Sequence, residues 1–341
     1  MNIENPAGLT ALDSCKLFAE ASAFVKNERY RSDGSSSNAF TGNFSAFSLG
    51  GRIMRRWYMS VGVTPYSFVG YYFKSSQELE GSPGTFVTST FSGTGGLSKA
   101  FLSQGFSLTK HLSVGMNLNF IFGNMTQNEI QSAMTVSREM SGRSFYADFG
   151  LQYHRPIARE TFLTVGAIYG YKQRISLKNT VTVTGSSTET PYNQKRVTQY
   201  LPQYIGIGSS LAHKKWTYAL DYLFRQYGVL NSSDSRVKFR DSHELRLGVC
   251  YFPNGFSSSS YWKRMSYKAG VSVSTPYLRL KGQSGGAYRV SVGLGLPVLN
   301  GRINTAFYYD RLQLQGNALR RDIMGFTVTY TLSEKFYQVK L

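Results

Sequence analysis

The chain is poor in the residues that build covalently tied or metal-tied folds, with 2 cysteines, 4 histidines, 3 tryptophans and 9 prolines in 341 residues. Cys15 and Cys250 lie far apart and make at most one bridge, which excludes a disulfide framework, and neither has the spacing of a zinc site. They read as two unpaired thiols. Acidic residues are scarce as well: 19 Asp plus Glu stand against 38 Lys plus Arg, a formal net charge of +19. Such a balance fits nucleic acid, an anionic membrane surface or an acidic ligand. Here the charges are spread along the whole length, with no zinc-finger spacing, basic heptads or RNA-recognition motif, so no nucleic-acid partner is read. Long apolar runs are missing too. Even LSVGMNLNFIFG, from Leu112 to Gly123, is broken at every second position and falls short of the about 20 apolar residues of a membrane helix.

What the chain does have is glycine, 34 residues, and aromatics, 15% of the total, led by 24 Tyr and 23 Phe, at a mean hydropathy of −0.26. A transmembrane β-barrel has this composition, because only alternate residues face lipid; a soluble β-protein is the alternative. Strict alternation favours the barrel. Leu112, Val114, Met116, Leu118, Phe120 and Phe122 share one face, opposite Ser113, Gly115, Asn117 and Asn119. In WTYALDYLFR, Trp216, Tyr218, Leu220, Tyr222 and Phe224 oppose Thr217, Ala219, Asp221 and Arg225, with Leu223 the one apolar residue on the polar face. HELRLGVCY sets Leu245, Leu247, Val249 and Tyr251 against Glu244, Arg246, Gly248 and Cys250. Soluble sandwich strands run to about 5–6 residues, whereas these reach the about ten that cross a bilayer at a tilt near 45°.

The pattern predicts an all-β fold, a transmembrane antiparallel up-and-down barrel of about fourteen strands over 16–29, 41–53, 57–72, 86–108, 112–126, 143–155, 161–176, 197–212, 215–228, 240–252, 265–279, 286–297, 302–314 and 320–335. Short connections at Met54, Thr109 to His111, Arg155 to Glu160, His213 to Lys215 and Leu299 to Arg302 read as periplasmic turns, with Pro253 to Arg264 a longer exception. Tyr30 to Phe40, Lys74 to Thr85, Gln127 to Gly142, Leu177 to Arg196 and Val229 to Phe239 read as extracellular loops. Arg29, Arg31, Lys178, Lys195, Arg196, Arg236 and Lys238, in or beside those loops, then face anionic lipopolysaccharide.

Glu20, Asp148, Asp221, Arg225, Glu244, Arg246, Arg289 and Asp310 fall on the lumen face. They read as cross-strand partners filling the interior, since an unpaired charge in a narrow barrel is costly. His111, His154 and His213 lie at or beside turns and His243 begins a strand; none shares ligand spacing, so no metal site is read. No nucleophile motif supports an outer-membrane lipase, and no catalytic residue or cofactor is assigned.

NPAGLTALDS (Asn5 to Ser14), VGVTPYSFVGYYF (Val61 to Phe73), FSGTGGL (Phe91 to Leu97), YKAGVSVSTPYLRLKGQ, VSVGLGLPV and TVTYTLSEKF resemble the FadL/TodX-type outer-membrane barrels of Bacteroidetes, over nearly the whole chain. The resemblance implies a 14-stranded outer-membrane barrel, with no enzymatic activity, for passive uptake of small hydrophobic molecules. It also implies a lumenal hatch ending at Asn5-Pro6-Ala7, so that residues 1–15 are a hatch remnant and 16–341 the barrel. From the residues alone, Asn-Pro is a helix start or a turn. Only MNIE precedes it, without a secretory signal, and the reading predicts a start further upstream. Pro65 interrupts the third strand and is tolerated only at an edge or bulge. Gly62, Gly70, Gly93, Gly95 and Gly96 surround it, as bends that close a barrel or as a lateral exit, the latter being what the resemblance implies. The expected partners are the lipid bilayer, lipopolysaccharide, hydrophobic small molecules and other envelope proteins. The alternative function is a non-transporting docking or scaffold subunit of an outer-membrane assembly. An apolar pocket leading to Pro65 would support transport; a lumen filled by paired charges, with exposed aromatics at loops or turns, would support docking.

Overall fold

Alternating faces dictate the architecture, because a strand with one greasy and one wet side is satisfied only where sheet separates lipid from a polar interior. The computed structural model describes residues 2–335 except 14–15, 33–34, 79–83, 132–133, 186–188, 231–236, 254–259, 281, 300 and 318. Cys15 and Arg236 therefore lie outside the described residues. Fourteen antiparallel strands form the wall: β1 (Lys16–Ser32), β2 (Ser35–Met54), β3 (Trp57–Phe68, resuming as Tyr71–Glu78), β4 (Phe86–Ser107), β5 (Leu112–Gln131), β6 (Met134–Ala158) and β7 (Thr161–Gly170, resuming as Gln173–Thr184). Then follow β8 (Glu189–Leu201 and Tyr204–His213), β9 (Trp216–Arg225), β10 (Ser242–Tyr251), β11 (Ser266–Ser274), β12 (Gly285–Val298), β13 (Gly301–Leu314) and β14 (Arg320–Lys335). Each pairs with the next, and β14 closes on β1 from Lys16↔Lys335 to Arg31↔Arg320.

The expected strands are all present, and several are longer than expected. Gln127 to Gln131 and Met134 to Gly142 are not loop: pairing continues through Gln127↔Arg138 as far as Gln131↔Met134. Thr184 of β7 likewise pairs with Glu189 of β8 within Leu177 to Arg196, and within Tyr30 to Phe40 the residues Tyr30 to Ser32 pair with Ser35 to Ser37. Polarity was the loop signal there, but ladder hydrogen bonds are made by the backbone whatever the side chains, and beyond the bilayer both faces are wet. Val237–Phe239 pairs with Leu278–Leu280 as a separate ribbon at that same end.

Leu220, Leu247, Val271, Val292, Phe307 and Val328 are exposed on the outer face, where a bilayer covers them. At the short-turn end an aromatic girdle closes this band. Trp57 stacks on Phe106 at 6.0 Å between centroids, and Trp216, Tyr251 and Tyr267 follow one another at 4.5 and 6.4 Å. The histidines belong to the same end or to strand starts: Nδ1 of His154 meets Thr164 Oγ1 and Nδ1 of His213 meets Thr161 Oγ1, each at 2.8 Å. His111 Nδ1 lies 3.0 Å from the His154 carbonyl oxygen, and His243 Nδ1 lies 2.7 Å from the Tyr222 hydroxyl.

One seam is incomplete. β2 and β3 pair only from Met54↔Trp57 up to Phe47↔Val63; beyond this, β2 holds β1 alone and β3 holds β4 alone. Introducing a charge on the apolar band provides a test of the lipid-facing register. Val292→Arg, at mid-strand, is expected to lower stability by about 2–4 kcal/mol, measured by reversible denaturant unfolding in liposomes.

Candidate functional site

The site is the lumen and the segment inside it. Asn5 caps the 3-10 helix Pro6–Ala11: its Oδ1 accepts from Ala7 N at 3.1 Å, and Pro6 occupies the first turn, where its missing N–H leaves no bond unmade. The same Asn5 donates from Nδ2 to the Leu151 carbonyl of β6 at 3.1 Å, which ties the cap to the wall. Thr10 Oγ1 donates to the Ala7 carbonyl and also meets Ser113 Oγ, both at 2.9 Å. Ala7 and Leu9 are almost wholly buried, at 0% and 1% exposure.

The wall accommodates this helix by giving up side chains. Gly105 of β4 faces Gly115 of β5, which faces Gly150 of β6, and all three are inward positions. A Cβ on Gly115 would strike the backbone of Pro6 and Ala7, one on Gly150 the Asn5 side chain and Pro6 ring, and one on Gly105 the Pro6 carbonyl. These glycines were not singled out in the sequence, since glycine on a small-residue face of a strand has many causes. Their recurrence in adjacent strands at one register is the signal that would have found them. From this cradle the N-terminal segment crosses the lumen: Asn117 Nδ2 donates to the Ile3 carbonyl at 3.1 Å, and Arg246 of β10 meets Glu4 at 3.2 Å.

All eight expected lumen charges face inward, in separate groups. Asp148 is 2% exposed and accepts from Asn117 Nδ2 at 2.5 Å, from Asn119 Nδ2 at 2.7 Å and from the Tyr204 hydroxyl. Glu244 holds Arg225 at 3.2 Å and Arg246 at 2.8 Å, with Asp221 directly across from Arg246. Arg289 meets Asp310 at 2.8 Å, with Arg321 at 4.0 Å, and Glu20 accepts from Thr331 at 3.3 Å. Asn117, Asn119, Tyr204, Glu4 and the Lys26–Glu28 pair at 3.0 Å complete the network and were not anticipated.

The inner face also carries an apolar core that alternation alone did not predict. Leu97, Ile121, Tyr146, Ile175, Leu177 and Leu201, from β4 to β8, pack together at 8% exposure or less. Side chains fill this part of the lumen, with Leu97 at its edge also lining a cavity beside the β2–β3 seam.

At the incomplete seam the expected gate residues divide. Pro65 stands two residues past the last β2–β3 pair, beside a bulge before Ser67, and Thr64 Oγ1 donates to Ser45 O at 2.9 Å where the strands part. Gly95 (φ 102°) and Gly96 (φ 151°) adopt backbone that favours glycine, and a Cβ on Gly96 would strike the Ser67 carbonyl, so the bend of β3 rests on it. Gly62 lies in the still-paired part, under Phe101; Gly93 seats the Tyr71 ring; Gly70 faces open space. A cavity of about 710 Å³ adjoins the seam, lined by Pro65, Phe68, Phe44 and Leu97 but also by Lys26, Glu28, Asn43, Asn124 and Arg321.

Two substitutions test this construction. Gly115→Val is expected to unseat residues 2–13 while the barrel stays folded, read as new labelling of a Thr10→Cys reporter together with unchanged heat-modifiable migration. Asp148→Ala is expected to cost about 1–3 kcal/mol for each buried amide left without its acceptor, measured by denaturant unfolding.

The barrel is similar to the Pseudomonas putida toluene transporter TodX, with TM-score 0.66 and 16% identity over 99% of this chain and 94% of that one. It is also similar to a Pseudomonas aeruginosa FadL homologue (TM-score 0.62, 12% identity, 98% and 93% covered) and to the monoaromatic hydrocarbon channel CymD (0.57, 14%, 98% and 92%). At these identities the likeness establishes the fold alone, a closed antiparallel β-barrel. A search of curated protein sequences found no match. The family model described as BamG matches residues 1–340, and the chain belongs to the BamG family.

Proposed function

We propose that this barrel works as a docking or scaffold subunit of an outer-membrane assembly, on a fold otherwise used by channels. The observation that carries the reading is the state of the lumen. The segment at residues 2–13 spans it from the glycine cradle to Arg246, paired charges occupy its polar side and a packed apolar core fills the other. A ligand site for a hydrophobic molecule is a largely apolar concavity; here the apolar inner surface is used up in packing, and the cavity at the seam is lined in part by charged groups.

The short-turn end supplies a contact surface. Trp262 is 69% exposed on the short helix Tyr261–Arg264, and Leu299 is fully exposed on the β12–β13 turn. Tyr261 OH donates to the Pro297 carbonyl at 3.4 Å, so the helix and that turn form one surface. Aromatic anchors on a fixed support suit protein association.

The incomplete β2–β3 seam favours a second reading, passive uptake of small hydrophobic molecules with lateral exit beside Pro65. Its support is the broken pairing and the adjoining cavity, together with the fold shared with hydrocarbon channels. In this reading residues 1–15 act as the hatch and Asn5, Pro6 and Ala7 as its seat.

One measurement separates the two. In liposomes carrying the purified barrel, uptake of a hydrophobic fluorescent probe is expected to equal that of empty liposomes for the wild type and for Pro65→Ala alike. Uptake by the wild type that Pro65→Ala alters would overturn the docking reading in favour of transport. A photo-crosslinking residue at position 262 is expected to capture one discrete envelope protein in native membranes, and the same residue at the lipid-facing position 292 to capture none.

A further inference from the structure

Near the end opposite the short turns, the outer wall of the β1–β14–β13 seam changes abruptly in character. On β14 the outward positions are Leu332, Tyr330, Val328, Phe326 and Met324, followed at once by Asp322 and Arg320. On β1 the outward positions Leu17, Ala19, Ala21, Ala23 and Val25 give way, after Asn27, to Arg29 and Arg31, both exposed. On β13 Arg311 follows Tyr309. About ten residues of strand cross a bilayer, so these arginines stand at the head-group level just past the apolar band. The tyrosine pair Tyr288–Tyr309, 6.2 Å between centroids, marks that boundary.

Register brings the cluster together: Arg311 lies opposite Asp322, which lies opposite Arg29, and Arg320 lies opposite Arg31. Asp322 holds Arg311 Nε at 2.7 Å and Arg320 Nε at 2.8 Å, and accepts from Tyr309 OH at 2.7 Å. One carboxylate thus holds two of the cluster's four guanidiniums. Among the described residues Arg29 and Arg31 form no ion pair. Like charges directly opposed across a ladder are destabilising, and an anion bound between Arg31 and Arg320 would relieve the part of that cost that Asp322, shared with Arg311, does not. Asp322 orients two of the forks, while the guanidiniums of Arg29 and Arg31, without an ion pair among the described residues, are available for bidentate recognition of phosphate.

We propose that this cluster binds the phosphate of a lipopolysaccharide lipid A moiety, with Arg29 and Arg31 as the phosphate ligands, Arg320 and Arg311 as orienting cations, and the acyl chains lying along the apolar stripes beneath. The site is on the outside of the wall and is independent of what the lumen does.

The test uses the purified full chain in detergent and three probes: diphosphoryl lipid A, the same lipid A enzymatically dephosphorylated, and inorganic phosphate. Wild-type protein is expected to bind diphosphoryl lipid A by native mass spectrometry and by titration. Arg29→Gln/Arg31→Gln is expected to weaken this binding roughly thirtyfold, the effect of removing two charges that each attract an anionic lipid surface, with heat-modifiable migration unchanged. Dephosphorylated lipid A is expected to lose affinity on the wild type to the same degree, and Lys214→Gln/Lys215→Gln at the other end to leave binding as it was. Equal binding by the Arg29/Arg31 variant, or indifference to dephosphorylation, overturns the proposal. So does inorganic phosphate that binds as tightly as diphosphoryl lipid A, because the recognised group would then be free phosphate and not the lipid.

Discussion

Inside a bilayer a backbone N–H or C=O has no water to bond to, and each one left unpaired costs several kcal/mol. That constraint determines the molecule. It makes the sheet close, with β14 returning to β1 over sixteen consecutive pairs from Lys16 to Arg31. It also gives weight to the seam where, among the described residues, closure lapses. β2 and β3 remain paired through their lower halves, from the Trp57 turn to Phe47 and Val63, which is short of the about ten residues needed to cross the hydrocarbon, and part beyond that. The opening therefore begins inside the apolar band, since Phe47 lies opposite Ala21 of β1 between Leu17 and Val25, and Thr64, whose hydroxyl meets the Ser45 carbonyl, stands at its lower edge.

The interior obeys a different rule. A lumen of this size is filled either by water or by side chains, and here side chains and a returning segment take most of it. Charges buried in it come with partners: Asp148 with two amides and a phenol, Glu244 with two guanidiniums, Asp310 with one at 2.8 Å and another at 4.0 Å. Such groups cost less together than apart. Because the network joins Glu4 to Arg246 and Ile3 to Asn117, the N-terminal segment is part of the interior and not a loose end laid upon it.

The wall was legible in the sequence because a period of two survives every local irregularity: fourteen alternating runs are fourteen strands, and the inward phase predicted for Asp221, Glu244, Arg246 and Asp310 is the phase observed. Strand ends were less legible. Threonine-rich and polar stretches such as Gln127 to Gly142 carry no apolar face once they leave the membrane, so periodicity falls silent although pairing continues. The lumenal core was hidden for a related reason. In β4, SKAFLSQGF is apolar on both faces, with Phe101 inward and Leu102 outward, so neither face announces itself. The cap of Asn5 on Pro6–Ala11 followed from local chemistry; the glycines that receive it needed three dimensions.

That row of glycines fixes what the barrel would be without its occupant. Gly105, Gly115 and Gly150 leave bare main chain on the inner wall where the Pro6–Ala11 segment rests. Withdrawing the segment would not expose the side-chain lining of an ordinary pore. It would leave a trough of naked peptide groups across three strands, and would take from Asn117 and Arg246 one partner each, Ile3 and Glu4. The segment thus functions as a keystone, and the arch around it was cut to its shape.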